Sequence, residues 1–235
     1  MTTPVVVDKS LTPFTVGVYT LTKSLLVSGS NTILFVVVTR NGGGVQSIQY
    51  NGASLTLWNS LTGDSRYHDT YFLKNPSAGT HDLVVTLDSS KGNLGLSAIT
   101  LQNVDQTTPL SGYVNYVETG TPPINVSFSL DVMSASGELV VDYLHLGTDR
   151  TMTQGGSQTL IGSTSAPTGS VAMSSQPGVA TTTMAWTLDT ISQYTQIGFS
   201  VKGSTDTSPT SSQIVGGSEG AFSHPFGNPY IEGQD

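Results

Sequence analysis

The sequence predicts an all-β protein, an antiparallel two-sheet sandwich or jelly roll, from three observations. Only 10% of the 235 residues are charged, while Thr, Ser, Gly and Val are abundant, and this composition is typical of short strands joined by turns. Segments rich in β-branched and aromatic residues recur at short intervals along the chain. Turn sequences such as NGGG, NPSAG and SSKGN separate these segments, as in antiparallel folds.

The predicted strands follow these segments in order. They cover residues 14–27, 31–39, 45–50, 53–58, 67–73, 80–88, 94–103, 113–118, 123–133, 138–146, 158–163, 169–174, 180–188 and 194–202. Within 81–88, Leu83, Val85 and Leu87 alternate with mostly polar residues, so this strand has one covered face. The run 33–38 is apolar on both faces, which predicts a central strand covered on both sides.

The two halves of the chain resemble each other in the order of their segments. Residues 28–38 align with 134–144, 52–58 with 155–161, and 77–88 with 176–189. This pattern predicts a diverged internal repeat, with units at about 28–104 and 134–202. Two similar halves most simply build one double sheet, each half supplying strands to both layers. Two independent side-by-side domains are the alternative.

A change of composition marks the end of the predicted body. The segment GSTDTSPTSSQ at 203–213 has the Ser/Thr-rich composition of a flexible linker. The sequence therefore predicts a β-sandwich body at 1–203, followed at 204–235 by a flexible linker and an extended C-terminal docking tail.

Composition also bears on the class of partner. Acidic residues outnumber basic ones by 16 to 8, with no basic cluster, so nucleic acid is not an expected partner. The chain contains no cysteine, which excludes disulfides and thiolate metal sites, and no cofactor is expected. The first residues lack the pattern of a secretory signal, and the longest apolar run, 33–38, is far shorter than a membrane span. We therefore expect a protein made in the cytoplasm, with no membrane partner.

Short motifs in the first half occur in the order and spacing of a known module. They are Tyr50-Asn51-Gly52 with Leu55-Thr56, Tyr71-Phe72-Leu73 with Asn75-Pro76, Ala78-Gly79-Thr80-His81, Val104-Asp105-Gln106 and Thr108-Pro109-Leu110. With these motifs, residues 30–110 resemble a β-sandwich module of bacterial surface proteins and phage structural proteins, and a weaker match continues to about 202. The resemblance implies a displayed or virion-exposed sandwich and brings no catalytic residues. Asn51 and Gly52 themselves predict a tight hairpin turn, because both accept positive φ angles.

Two His-Asp pairs qualify as candidates for a metal site. His68-Asp69 and His81-Asp82 would form a mixed cluster of metal ligands if their strands paired. Because neighbours in a strand point to opposite faces, at most one residue of each pair could join a common site. The sequence favours the alternative, in which these residues are solvated polar groups at a sheet edge.

Other polar residues suggest hydrolysis less specifically. His145 and Asp149 resemble a general base with its orienting acid, but no nucleophile is specified nearby. Glycoside hydrolysis needs two carboxylates across a cleft, and nothing in the sequence singles out a pair. The carboxylates that qualify are Asp64, Asp69, Glu118 and Asp142. The GGSEG segment at 216–220 matches a nucleophile motif that works only on a strand-to-helix turn, but here it lies in a Gly/Ser-rich tail. Since none of these patterns specifies an active site, we predict that the protein is not an enzyme.

Aromatic side chains suggest carbohydrate binding, since sugar rings stack on them. The candidates are Trp58, Tyr67, Tyr71, Tyr113, Tyr116 and Trp186. Trp58 and Trp186 lie in segments with a core-facing pattern, which favours a packing role for both.

The tail carries apolar anchors at near-regular spacing after the predicted body has ended. Its predicted partner-binding residues are Phe222, Pro225, Phe226, Pro229, Tyr230 and Ile231. The two prolines prevent a helix from gathering the apolar residues on one face. Burial of the four apolar side chains would contribute about 6–12 kcal/mol, but ordering the tail backbone costs roughly 1–2 kcal/mol per residue. The tail therefore needs a partner to become ordered. A disordered tail, or one folded back on its own sandwich, is the alternative.

These features together predict a non-enzymatic virion structural protein, a phage capsid decoration or cement protein that stabilises the particle by binding neighbouring subunits. The expected partners are other virion proteins, either the major capsid protein or tail proteins, and we expect a homo-oligomer. A tail or fibre protein, or a surface adhesin module that binds carbohydrate, is the alternative.

Overall fold

The computed structural model of the protein describes residues 1–63, 66–89, 93–120 and 126–205. Strands account for most of these residues, and no helix occurs among them. The predicted all-β antiparallel class is therefore confirmed. The predicted hairpin turn is also confirmed, because Asn51 and Gly52 have φ angles of +47° and +79° and Tyr50 pairs with Ala53.

The strands divide between the two halves of the chain. Those of the first half are β1 (Val5–Thr15), β2 (Thr20–Val27), β3 (Ile33–Arg40), β4 (Val45–Tyr50), β5 (Ala53–Ser54), β6 (Thr56–Gly63), β7 (Arg66–Lys74), β8 (Gly79–Leu87) and β9 (Leu94–Gln102). Those of the second half are β10 (Leu110–Glu118), β11 (Ser127–Met133), β12 (Leu139–Leu146), β13 (Met152–Gln154), β14 (Thr159–Ala166), β15 (Gly169–Pro177), β16 (Thr181–Leu188) and β17 (Tyr194–Val201).

In the described part of the chain, each sheet takes its strands from one half only. The first half forms an inner sheet with the order β1-β9-β3-β7-β6 and an outer sheet with the order β2-β8-β4-β5. The second half forms an inner sheet with the order β10-β17-β12-β15-β14 and an outer sheet with the order β11-β16-β13. The halves are thus two stacked sandwiches, and not the single shared double sheet that was expected. The jelly-roll description and the origin of the halves by duplication remain predictions.

The inner sheets pack face to face, and we call the layer between them the central interface. Side chains of 33–38 in β3 point alternately into the first sandwich and into this interface, and all are fully buried. The second half contributes Val141, Tyr143 and Phe199 to the same interface. Because β3 is covered on both faces, its run is apolar throughout, as predicted for a central strand.

The inner sheets of the two halves share one strand order. Strands β1, β9, β3, β7 and β6 stand where β10, β17, β12, β15 and β14 stand in the other half. Their β-bulges correspond too, since the bulge around Trp58 in β6 has its counterpart around Ile161 in β14. The first strand of each inner sheet is also bulged, next to Val6 in β1 and next to Ser111 in β10. Because strand order and bulges match, each residue of one inner sheet can be paired with the residue at the same position in the other inner sheet, which we call its counterpart.

The connection between the halves, 103–109, is fixed by its own polar groups. Asp105 Oδ1 accepts hydrogen bonds from the backbone N–H groups of Thr107 (2.8 Å) and Thr108 (2.7 Å). Gln106 Nε2 donates to the carbonyl of Thr32 at 3.2 Å. These residues, part of the motif that suggested the module resemblance, have a structural role in shaping this turn.

Candidate docking surface

An apolar groove lies between two edge strands that belong to different halves. Strand β1 ends the inner sheet of the first half and β14 ends that of the second, so among the described strands each pairs on one side only. The groove between them has a volume of about 540 Å³ and is lined by residues 4–9, 139, 159–161 and 175–177. Two of its apolar side chains, Val5 and Leu160, are 47% and 40% exposed. We call this surface, which has unpaired strand edges beside it, the β1–β14 groove.

Aromatic rings close the opposite end of the central interface. Trp58 of β6 lies edge-on to Tyr113 of β10, with 5.2 Å between ring centroids. It is also edge-on to Phe35 (6.1 Å) and Phe199 (5.7 Å). Burial raises the pKa of Tyr113 to about 12, and its hydroxyl has no hydrogen-bond partner within the described part of the chain. The Tyr113 ring therefore serves as packing at this end of the interface.

Smaller side chains occupy the corresponding positions at the groove. By register, the counterparts of Trp58, Phe35 and Phe199 are Ile161, Val141 and Ile99. Lys9, which pairs with Ile99, lies where β10 has the bulge that contains Tyr113. The aliphatic stem of Lys9 lies close to Gly162 of β14. Of these residues, Lys9 and Ile161 line the groove, so aliphatic chains stand there at positions that hold rings at the opposite end.

The described chain leaves the body beside this groove. The carbonyl of Ser204 accepts hydrogen bonds from the N–H (2.9 Å) and the hydroxyl (3.2 Å) of Thr2. The hydroxyl of Ser204 accepts from Nδ2 of Asn31 at 3.0 Å, and Ser204 is buried. Ser204, the residue after the predicted end of the body at 203, is thus still held by the body. Thr2 lies two positions before Pro4, which is the first residue of the groove lining.

The predicted tail anchors lie outside the described residues. These are Phe222, Pro225, Phe226, Pro229, Tyr230 and Ile231, and the GGSEG segment lies outside as well. Their role in partner binding stays a prediction.

The structure does not bring the two His-Asp pairs together. His68 and Asp69 lie on β7 of an inner sheet, whereas His81 and Asp82 lie on β8 of an outer sheet. His68 is fully buried in the central interface, and Asp69 on the other face forms an ion pair with Arg40 at 2.7 Å. Among the described residues, no group of His, Asp or Glu side chains is arranged to hold a metal ion.

His145 belongs to the central interface, whereas Asp149 lies at the surface. Its ring centroid lies 5.1 Å from that of His68, and both side chains are fully buried. Asp149 is exposed in the loop after β12. Next to His68, the hydroxyls of Thr39 and Tyr143 lie 2.6 Å apart and join the two inner sheets. These polar groups hold the sandwiches in register.

Asp142 of β12 is fully buried between the two sheets of the second half. Its Oδ1 accepts a hydrogen bond from the hydroxyl of Ser174 (2.5 Å). Its Oδ2 accepts from Nε1 of Trp186 (2.6 Å) and Nε2 of Gln196 (2.9 Å). Burial raises the pKa of Asp142 to about 6, against the lowering effect of these donors. This carboxylate is a structural group with a complete set of donors.

The other carboxylate candidates do not supply a partner for Asp142 across a cleft. Glu118 is buried and accepts a hydrogen bond from the N–H of Gly120 at 2.7 Å. Asp69 is held by Arg40, and Asp64 lies outside the described residues.

Most of the candidate sugar-stacking aromatics are packed in the body. Trp186 is 1% exposed and Trp58 packs into the central interface, which confirms the core-facing prediction for both. Tyr67 and Tyr116 remain exposed, at 41% and 45%. The guanidinium of Arg40 covers the Tyr67 ring at 4.3 Å from its centroid. Of these candidates, Tyr67 and Tyr116 each keep an exposed ring face on which a sugar ring could stack.

Comparison with family models, curated proteins and solved structures gives no match for this chain. The module resemblance seen in the sequence therefore stays a hypothesis. A search of the described residues for a helix able to cross a membrane finds none.

Proposed function

We propose that this protein is a non-enzymatic structural protein of a virus particle, a phage capsid decoration or cement protein that binds neighbouring subunits. The observation that carries the proposal is the β1–β14 groove, where exposed apolar side chains lie beside two unpaired strand edges. Apolar surface flanked by free backbone groups is suited to binding protein segments, because main-chain hydrogen bonds and side-chain pockets then act together.

The tail supplies a second binding element. It places four apolar anchors after a Ser/Thr-rich stretch, and it starts beside the groove. Since those anchors are too few to order the tail alone, their natural role is to dock on a neighbouring subunit. This is the arrangement that a cement protein requires, a self-contained body joined to a segment that binds elsewhere.

The polar groups of the body support a structural role. Asp142 has three internal donors, and Asp69 is paired with Arg40. Groups held in this way fix the fold, because a buried carboxylate is tolerated only with such partners.

Removal of residues 206–235 tests the proposal. This deletion keeps Ser204 and its bonds to Thr2, so we expect thermal unfolding of the body to stay unchanged while incorporation into virus particles is lost. The measurement is competition between full-length and shortened protein for incorporation, read by mass spectrometry of purified particles.

A matched pair of variants separates the anchors from the linker. Serine at Phe222, Phe226 and Tyr230 should reduce incorporation as strongly as the deletion, whereas alanine at Thr207, Thr210 and Gln213 should not. Equal incorporation of full-length and shortened protein would contradict the proposal.

A carbohydrate-binding adhesin is the second candidate, favoured by the exposed rings of Tyr67 and Tyr116. It predicts saturable binding of the full-length protein to a glycan array, lost in Tyr67→Ala or Tyr116→Ala. Retained glycan binding in both variants would exclude these rings as the site.

A further inference from the structure

We propose that the β1–β14 groove is the docking site for the tail of a second copy of this chain, with residues 222–231 of that copy bound as an extended strand along β14. The inference rests on the proposed function, since it assumes that the tail docks on a neighbour, and it names both the receptor surface and the occupant.

The groove lacks aromatic volume that the tail can supply. At the opposite end of the central interface, Trp58 and Tyr113 fill the space between the edge strands β6 and β10. At the groove, Ile161 and the stem of Lys9 occupy those places and leave about 540 Å³ open. The tail carries Phe222, Phe226 and Tyr230. Rings of this size gain most from burial in an apolar cleft.

The spacing of the tail residues fits a strand added to an open edge. Phe222, Phe226 and Tyr230 are separated by even intervals, so in an extended chain their side chains share one face. Pro225 and Pro229 fall at odd positions relative to the rings. In a strand added in the direction that lets the ring residues bond to the partner strand, residues of that parity turn their backbone groups away from it, and the missing N–H of proline does no harm there.

Strand β14 offers the better edge for this addition. Within residues 1–205, as far as the structure describes them, β14 pairs only with β15, and its side chains at 159, 160, 163 and 165 are exposed. Most residues of β1 on the opposite wall are half-buried. A tail strand along β14 would place its rings over Leu160 and the apolar wall that contains Val5.

The length of the linker favours a second copy over the tail's own body. Residues 206–221 precede the first ring and can span about 50 Å at roughly 3.3 Å per residue. A body of this size has a diameter of roughly 40 Å. Because the chain leaves the body at Ser204, next to the start of its own groove, a far shorter connection would suffice for docking on itself.

The charged residues of the groove lining are Asp8 and Lys9. Asp8 accepts hydrogen bonds from the backbone N–H groups of Leu26 and Lys9, both at 2.8 Å, whereas Lys9 is exposed. Residues 206–235 contain Asp206, Glu219, Glu232 and Asp235 but neither Lys nor Arg. A carboxylate such as Glu232, next to the last anchor Ile231, would be attracted to Lys9.

Cysteine pairing tests the inference in the full-length protein, because the native chain has no cysteine. One variant carries Leu160→Cys, and a second variant with a different purification tag carries Asn228→Cys, which keeps every anchor. The control replaces Leu160→Cys by Leu57→Cys. Leu57 is the counterpart of Leu160 in β6 and is 53% exposed, but it lies at the end closed by Trp58.

After mixing under mild oxidation, we expect the Leu160→Cys and Asn228→Cys chains to form a mixed disulfide at about tenfold the yield of the control pair, the ratio given by roughly 1.4 kcal/mol of preferred docking. Non-reducing electrophoresis and mass spectrometry measure the yields. Equal yields overturn the inference. So does a double variant Leu160→Cys/Asn228→Cys that forms only monomeric, intramolecular disulfide, since the tail would then occupy its own groove.

The particle experiment distinguishes the two proposals. If deletion of 206–235 abolishes incorporation while both disulfide pairs form equally, the docking function stands and this groove is the wrong receptor. If the groove pair forms selectively while the deletion leaves incorporation unchanged, the contact between copies stands and the proposed role in the particle fails.

Discussion

The core of the first sandwich is apolar, whereas the core of the second contains a polar network at the corresponding positions. By register, Val36, Tyr71, Val85 and Leu96 have as counterparts Asp142, Ser174, Trp186 and Gln196. The first four belong to one hydrophobic cluster, and the second four are joined by hydrogen bonds to Asp142. The same strand order is therefore compatible with an apolar core and with a polar one. Side-chain alternation and turns determine the strand order, and a polar core is tolerated because its buried groups are hydrogen-bonded.

The two ends of the central interface also differ in the side chains that occupy corresponding positions. Rings close the end at Trp58, and aliphatic chains leave the end at Ile161 open. The closed end contributes aromatic packing to the core, and the open end is the docking site proposed above.

Replacement of Trp58 by alanine should have the largest effect. Loss of the ring would open a cavity among Phe35, Tyr113 and Phe199 and lower the free energy of unfolding by about 3–5 kcal/mol. Ile161→Ala, at the counterpart position, already borders open space and should cost about 2 kcal/mol. Urea denaturation of both variants measures the difference, and equal losses would mean that the two ends are equally packed.

Asp142→Val gives the second half the residue that the first half has at Val36. The single change removes the acceptor of the Trp186 N–H, of the Ser174 hydroxyl and of one N–H of Gln196, while Gln196 keeps its bond to the carbonyl of Met184. It should lower the free energy of unfolding by about 3–5 kcal/mol. Adding Trp186→Phe and Gln196→Leu removes two of those donors, so the triple variant should be more stable than the single one. The denaturant midpoints of the single and triple variants test this order of stability. If the triple variant is no more stable than the single one, the loss of stability comes from altered packing and not from unpaired donors.

The pH dependence of stability should differ between the native protein and Asp142→Val. The folded-state pKa of Asp142 is raised to about 6 from its ordinary value of 3.8, so the folded state holds the proton more tightly than the unfolded chain. The contribution of Asp142 is therefore fully present below about pH 4 and declines by roughly 2–3 kcal/mol as pH rises through 6. Unfolding free energies at pH 4 and pH 7 should show a native-minus-variant difference that decreases with pH, and a constant or increasing difference contradicts the assignment.

Leu160→Ser should have the smallest effect on stability. The side chain is partly exposed, so the free energy of unfolding should change by less than about 0.5 kcal/mol. Leu57→Ser, at the counterpart position, should be equally mild. Only Leu160→Ser should weaken self-association in sedimentation velocity runs over a range of protein concentration. Identical association in both variants would remove the functional difference between the two ends.

The sequence predicted the class of fold and missed particular elements for physical reasons. Asn51-Gly52 and the alternation at 81–88 were sufficient because turn conformation and strand period are local properties. Strand β1 was missed because Asp8, Lys9 and Pro13 interrupt its apolar residues. An edge strand tolerates them, since β1 pairs with β9 only. Strand β13 was missed because its three residues, Met152–Gln154, carry no detectable period.

The β1–β14 groove could not be predicted in the same way. Its walls, 4–9 and 159–161, are far apart in sequence and meet only through the stacking of the two inner sheets. Asp142 did carry a signal, because an acidic residue within the apolar run of β12 indicates a buried group with donors around it. Sequence reasoning assigned it instead to a set of hydrolase candidates, since its partners come from three other strands.

Hydrogen–deuterium exchange gives the most direct test of the difference between the two ends. The native full-length protein is compared, at high concentration, with a full-length variant that has serine at Phe222, Phe226 and Tyr230. We predict faster amide exchange in β14 (Thr159–Ala166) of the variant, because the docked strand is lost, and unchanged exchange in β6 (Thr56–Gly63). Unchanged exchange in β14, or an equal increase in β6, would contradict the account.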